Sequence, residues 1–389
     1  MTKLLPLCFT LMIGGQASAA EWLFDAEADP TLKYDDNELL REDERGDFSL
    51  NIDPTLIISR SLENARSELR LGYRISRYDR LRELDREDPF ANFSTNYNTE
   101  RSEYGLELEY SEREARSIAE EDTGDFSNVS TVTTKSIRPN FSYNLTELDR
   151  LITGFGYTDR KFDNSNALST NDLSDNEIID ASVAWQHSFS ERLTGGLSAL
   201  FVNYEAETDT FSNEYDSYTL SVTSTYALSE LWQLSGHVGL WFLDSEITPD
   251  FGPSISDTST GENLAFSASR QDEVSELSLS AARELLPSSR GEVNEQDVYE
   301  VSYTRNLTER LAASIYASYR KFESVDETFA TDTKYTELSP NLRWSLAQNL
   351  ALVFAYKYRS VKRSDSGDAD SNAVLVTLDY NWDGIRFSR

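Results

Sequence analysis

The chain is poor in the residues that do chemistry. Its 389 residues hold one cysteine, two histidines and two methionines. Cys8 lies in the first twenty residues, outside a lipoprotein context, so the rest of the chain has neither a disulfide nor a thiolate nucleophile. His187 and His237, with no cysteine near them, offer no metal-ligand spacing, and no G-x-S-x-G or cofactor-binding motif occurs. We therefore expect no catalytic residues, no metal, no cofactor and no enzymatic activity. Basic residues are also scarce: 36 Lys and Arg face 68 Asp and Glu, a formal charge of −32. That balance excludes nucleic acid as a partner, because phosphate binding wants Lys and Arg. Beyond the first twenty residues no apolar run is long enough for a transmembrane helix. Nine prolines and 17 glycines never cluster into a linker, so no domain boundary is expected. Aromatic residues make up 12%, which argues against simple disorder despite the charge.

The start, MTKLLPLCFTLMIGGQASAAEW, has a basic residue (Lys3), an apolar stretch from Leu4 to Ile13 and a small-residue site at Ala17-Ser18-Ala19. It reads as a secretory signal peptide over residues 1–20, leaving residues 21–389 as one exported domain. That domain alternates. In the hairpin Leu338–Ser360, Leu338, Pro340, Leu342, Trp344 and Leu346 share one face of the first arm. Leu350, Leu352, Phe354, Tyr356 and Tyr358 share one face of the second. Period two in both arms means paired antiparallel strands with one apolar and one polar face. Each arm is long enough to cross a bilayer as a tilted strand. The expected fold is all-β: a transmembrane, antiparallel, up-and-down β-barrel in the outer membrane of a Gram-negative bacterium.

Short turns repeat a signature of Leu or Phe, a small residue, then Glu or Gln: NLTELDRL (144–151), SFSERLTGGL (188–197), ALSELWQL (227–234), NLTERLAA (306–313) and SLAQNLAL (345–352). An unmarked turn is expected near Arg270–Glu273. One hairpin in about 40 residues gives about 18 strands, with 16 as the alternative, short periplasmic turns and longer acidic extracellular loops. The last strand, ending at Trp382, is expected to close on the first. Prolines in SIRPNFSYNL and ELSPNLRWSL should mark a bulge or a strand end. Trp22, Trp185, Trp232, Trp344 and Trp382 all fall near short turns, forming an interfacial aromatic girdle.

Positions expected to line the lumen include Glu68, Glu107, Asp180, Glu300, Glu337 and Asp379, interleaved with Arg70, Arg74, Arg138, Arg160, Arg320, Arg343 and Arg359. They read both as cross-strand ion pairs and as the wall of a hydrated passage. The acidic stretches Asp35–Asp47, Asp79–Asp88, Glu120–Asp125 and Asp365–Asp370 read first as solvated loops. A second reading is diffuse divalent-cation bridging to lipopolysaccharide phosphates or a polyanion.

YGLELEYSEREARSIAEEDTG (104–124) followed by SIRPNFSYNLTELDRLITGFGYTD (136–159) resembles bacterial outer-membrane β-barrels associated with exopolysaccharide export and exosortase (PEP-CTERM) systems. The matching elements are Gly105 to Ser111, Glu121 to Gly124 and Tyr143 to Leu148; Leu148 stands where the family has arginine. The resemblance implies export of an extracellular polysaccharide across the outer membrane. It also implies partners in outer-membrane lipid and lipopolysaccharide, periplasmic polysaccharide-export proteins and the polysaccharide cargo. The alternatives are a general diffusion porin for small solutes and a structural surface barrel.

Overall fold

A computed structural model describes residues 20–119, 125–164, 173–207, 211–325, 332–364, 367–382 and 384–388. The expected signal peptide falls outside the described residues except for Ala20. The strands are β1 Glu21–Ala28, β2 Thr31–Asp35, β3 Asp47–Ile52, β4 Thr55–Ser61, β5 Ala65–Tyr78, β6 Arg86–Asn98 and β7 Ser102–Glu114. They continue as β8 Thr131–Asn144, β9 Asp149–Asp163, β10 Asp175–Ser188, β11 Leu193–Glu207, β12 Phe211–Ala227, β13 Trp232–Pro249 and β14 Ile255–Gln271. The last are β15 Ser275–Pro287, β16 Val293–Asn306, β17 Leu311–Ser324, β18 Asp332–Ala347, β19 Leu350–Arg363, β20 Ala369–Asn381 and β21 Ile385–Ser388.

All belong to one antiparallel sheet in which successive traverses of the wall pair with one another. Three pairs of segments are single traverses broken in the middle. β1 and β2 part at Asp29-Pro30, and β3 and β4 at Asp53-Pro54, where proline has no N–H to give the ladder. Its carbonyl still serves: Pro30 accepts from the Leu378 N–H at 3.0 Å and Pro54 from Tyr73 at 3.3 Å. β20 resumes as β21, and Gly384 lies so close to β1 that an added Cβ would meet the Phe24 carbonyl at 2.4 Å. Eighteen traverses remain, and they close into a barrel. The seam pairs Thr31 with Thr377, Glu27 with Asn381 and Trp22 with Phe387.

The turn signature has a physical basis. In four of the five turns its small residue is a Ser or Thr whose hydroxyl accepts the N–H groups that end the turn; in the fifth it is Ala347. Thr146 takes those of Leu148 and Asp149, Ser190 that of Leu193, Ser229 that of Trp232 and Thr308 that of Leu311, at 3.0 to 3.2 Å. At the unmarked turn Asp272 replaces the hydroxyl, accepting from Val274 and Ser275 at 3.0 and 2.7 Å.

The prolines correct one expectation. Pro139 and Pro340 lie inside β8 and β18, at neither a bulge nor a strand end. The ladder to the next strand passes from Ile137–Tyr157 to Asn140–Gly154, and from Leu338–Tyr358 to Asn341–Ala355, without a change of register. Each strand skips the same number of residues, so the ladder opens locally and no bulge forms. The register shift in the last hairpin lies instead at Ser345–Ala347.

The outer face is apolar and exposed: Leu220, Val222, Val238 and Leu240 are 54–66% accessible on adjoining strands. An arginine near the middle of this band costs roughly 2–4 kcal/mol of insertion. Leu240→Arg should therefore reduce the heat-modifiable folded band on cold gel electrophoresis, whereas Thr223→Arg, which points into the lumen, should fold like the wild type. Equal folding would place the register one residue off.

Candidate functional site

Alternation places every lumen residue expected from the sequence on the inner wall. Most are held by a neighbour of opposite charge. Arg70 pairs with Glu27 at 2.7 Å, Glu68 accepts from Ser59 at 3.3 Å, and Arg138 pairs with Asp180 at 3.4 Å. Glu300 pairs with Arg320 at 2.6 Å and accepts from the Tyr316 hydroxyl at 2.8 Å. Arg343 meets Asp379 at 2.5 Å, Lys357 meets Glu337 at 3.0 Å and Arg359 meets Asp35 at 2.7 Å. Glu107 stands opposite Arg138 in the β7–β8 register, and Arg160 opposite Thr134. Arg74 lies 4.6 Å over the Phe90 ring. These contacts form a cross-braced wall, which limits each charge's reach into the lumen.

The wall is not uniform. Between β10 and β15, on the short-turn side of the wall and above Glu276, Thr194, Thr223, Thr225, Ser235, Ser267 and Ser280 line an uncharged cavity of about 320 Å³ with His237. The second histidine, His187, is a turn residue and meets Asp149 at 2.8 Å. The five tryptophans of the girdle lie at the short-turn ends of their traverses. Trp185, Trp344 and Trp382 are exposed, Trp22 and Trp232 are partly covered, and Arg60 stacks over Trp22 at 5.7 Å.

The long-loop end departs most from expectation. Asp35–Asp47 is a solvated acidic loop only at its tip, where Glu42, Asp43 and Glu44 are exposed; its base is buried. Asp35, Asn37, Glu38, Leu39, Leu40 and Asp47 are all at most 2% exposed. The base of the loop turns inward, and its buried charges are matched. Glu38 pairs with Lys33 at 2.6 Å and with Arg116 at 2.9 Å, and the Tyr78 hydroxyl reaches it at 3.0 Å. Asp47 accepts the backbone N–H of Leu81 at 2.7 Å. Leu39 packs with Leu81, Leu84 and Val129, and Leu40 with Phe126, Tyr335 and Val361. Phe126 stacks on Tyr335 with ring centroids 4.2 Å apart. From the far side of the mouth comes the β15–β16 tip, residues 288–292, whose Arg290 meets Asp125 at 3.4 Å. Several short loops thus meet across the mouth and constrict it together. Residues 120–124 and 365–366 of the acidic stretches lie outside the described residues.

Sequence reasoning missed Glu38, Arg116, Phe126, Asp125 and Arg290. The available signal was the apolar residues inside the supposed loops: Leu39-Leu40, Leu81, Leu84, Ile118, Phe126 and Val129. A loop facing only water has no use for them, and packed here they are buried.

No family model matches the sequence, and no curated protein matches it. Among solved structures, the ferric citrate transporter FecA in its unliganded form is similar over 88% of this chain and 60% of FecA, at 11% identity and a TM-score of 0.53. The chain thus spans less than two thirds of FecA's length. The ferric-catecholate import receptor Fiu of E. coli K12 gives 0.49 at 9% identity, over 92% of this chain and 82% of Fiu. The outer membrane protein OpdK of Pseudomonas aeruginosa gives 0.47 at 12% identity, over 92% and 99%. The likeness is one of fold. Together with the closed wall and apolar outer band, the likeness to FecA defines the class by fold: a β-barrel of the outer-membrane type.

The mouth should respond to acid. Burial alone would raise the Glu38 pKa; Lys33 and Arg116 outweigh it and hold it down to about 2. A carboxyl depressed from 4.5 stabilises the closed mouth fully above that value and loses this contribution as pH falls towards 2. Limited proteolysis of the reconstituted barrel should show loop 36–46 becoming cleavable across that window. Glu38→Gln leaves Arg116 only Glu114 at 2.7 Å and Lys33 only Asp35 at 3.9 Å, a loss below the roughly 3–5 kcal/mol of a fully broken buried pair, and should make the loop cleavable at neutral pH. Equal resistance of the variant and the wild type would remove Glu38 from the closure.

Proposed function

We propose that this barrel is the passage through which an extracellular polysaccharide crosses the outer membrane, and that it does no chemistry on its cargo. The observation that carries the reading is the wall. Its charges are paired, and one arc, from β10 to β15, is lined by hydroxyls. A hydrated, neutral or weakly charged chain meets many hydroxyl partners there and no strong field, so it can bind weakly and move on. An eighteen-strand circumference is wide enough for a water-filled interior once the mouth clears. The resemblance of residues 104–159 to barrels of exopolysaccharide systems supports the same cargo. Lipopolysaccharide around the outer band and periplasmic export proteins at the short-turn end are the partners this role needs.

One observation favours the porin alternative. Porins constrict their lumen with inward-folded chain, and here several loops do so jointly although none is long. The two readings separate genetically. Deleting the gene should lower surface polysaccharide while polymer accumulates in the periplasm and small-solute uptake is unchanged. Normal surface polysaccharide with slowed solute uptake would establish the porin reading instead.

A further inference from the structure

One stretch of wall is left unzipped. β14 pairs with β13 along Ile255–Arg270, but with β15 only along Leu264–Gln271. Ile255–Asn263 therefore has one hydrogen-bonded edge and one bare edge, and it is largely exposed. Across the gap, β15 continues to Pro287, paired only with β16. Beyond Leu264 and Arg283 the hairpin parts from β14 and its tip bends into the lumen, while β16 stays paired with β17 as far as Asn294. A bare strand edge is a ready template for another strand. The strand that fits this one is already present: continuing the β14–β15 register brings Asn263 opposite Glu284, Glu262 opposite Leu285 and Gly261 opposite Leu286.

The bent tip is buried, and the contacts that hold it include the Arg290–Asp125 pair and bonds to β11, β12 and the start of β10. The Tyr204 hydroxyl donates to the Ser288 carbonyl at 2.5 Å, the Ser174 N–H donates to the Ser289 carbonyl at 2.7 Å, and Asn213 donates to the Gly291 carbonyl. Gly291 turns the tip with φ +82°, which suits glycine. Val293 packs over Tyr204, Tyr215, Trp241 and Leu243 on β11 to β13. Trp241 is 3% exposed, lies against Gly261, and its indole N–H has no hydrogen-bond partner among the described residues. A buried donor without an acceptor is costly, so the bent state carries a penalty that uncovering this strip would relieve.

We infer that the β15–β16 tip is the gate of the passage. It is bent in over the aromatic strip when closed and zipped onto the bare edge of β14 when open. Opening exchanges the tip's contacts with β11 and β12 for ladder hydrogen bonds to β14. It also uncovers Tyr204, Tyr215 and Trp241, which lie in the outer half of the lumen above the neutral arc. Aromatic rings with polar tips suit the apolar faces and hydroxyls of sugar rings, so the open gate presents a cargo-binding strip. This assignment of cargo rests on the proposed function; the gate does not.

Two disulfides test the gate, in a Cys8→Ser background. Ser174→Cys with Ser289→Cys locks the tip in. Asn263→Cys with Glu284→Cys locks it onto β14. With both variants confirmed as folded by heat-modifiability, planar-bilayer currents are recorded before and after reduction. The first pair should abolish openings, and reduction should restore them. The second should hold the current open until reduced. Undiminished current through the first disulfide, or failure of the second pair to oxidise where the first does, overturns the gate. Neutral dextran is then added to the open-locked channel. Transient blocks, shortened by Trp241→Ala, support the aromatic strip. A current that obeys both disulfides and ignores dextran leaves the gate standing and counts against the polysaccharide cargo.

Discussion

In hydrocarbon an unpaired peptide group costs several kcal/mol, so a membrane-crossing sheet must pair every strand and close on itself. That requirement organises this molecule. It forces strands from opposite ends of the chain to meet, Thr31 against Thr377 and Trp22 against Phe387. It makes lipid the environment of alternate residues, so that a chain with mean hydropathy −0.53 can still span a bilayer. It also confines the departures from regular pairing. At Pro30 and Pro54 the carbonyls stay engaged. Among the described residues the one long unpaired edge, Ile255–Asn263, belongs to the long-loop half of β14, the half furthest from the short turns.

A closed wall leaves the polar side chains facing one another, and their pairing differs between wall and mouth. Ion pairs along the strands, such as Arg343–Asp379, brace neighbours that the ladder already fixes. At the mouth, Glu38–Arg116 and Arg290–Asp125 join segments far apart in sequence with no ladder between them. Buried pairs of this kind carry a desolvation cost that offsets much of their attraction. They specify where a loop sits more than they hold it there. A mouth closed by such contacts together with Phe126 stacked on Tyr335 is one that a change in charge can release.

The wall was legible in the sequence because period two repeats over eighteen traverses, and a slip of one residue would invert every face. Leu240 and His237 are on opposite faces for no other reason. The turns were legible because Thr146, Ser190, Ser229 and Thr308 do the same capping job at intervals; the aspartate at 272 does it in another form. The mouth was not, because nothing periodic links Glu38 to Arg116 or Arg290 to Asp125. Acidic stretches also read as solvated when their partners are distant in the chain. The weak point of the sequence reading was to weigh the charges of Asp35–Asp47 and overlook Leu39 and Leu40 between them, which are buried. The unzipped edge of β14 left a trace that went unused, since ISDTSTGEN is polar on both faces where the paired half LAFSASRQ alternates.

The central claim is that a wide, closed barrel is shut by its own loops. Liposome swelling in an isotonic neutral sugar measures this directly. The intact protein should admit the sugar slowly, and a variant lacking residues 36–46 and 288–292 should admit it fast while remaining heat-modifiable. An intact protein as permeable as the loop-deleted one would contradict the claim.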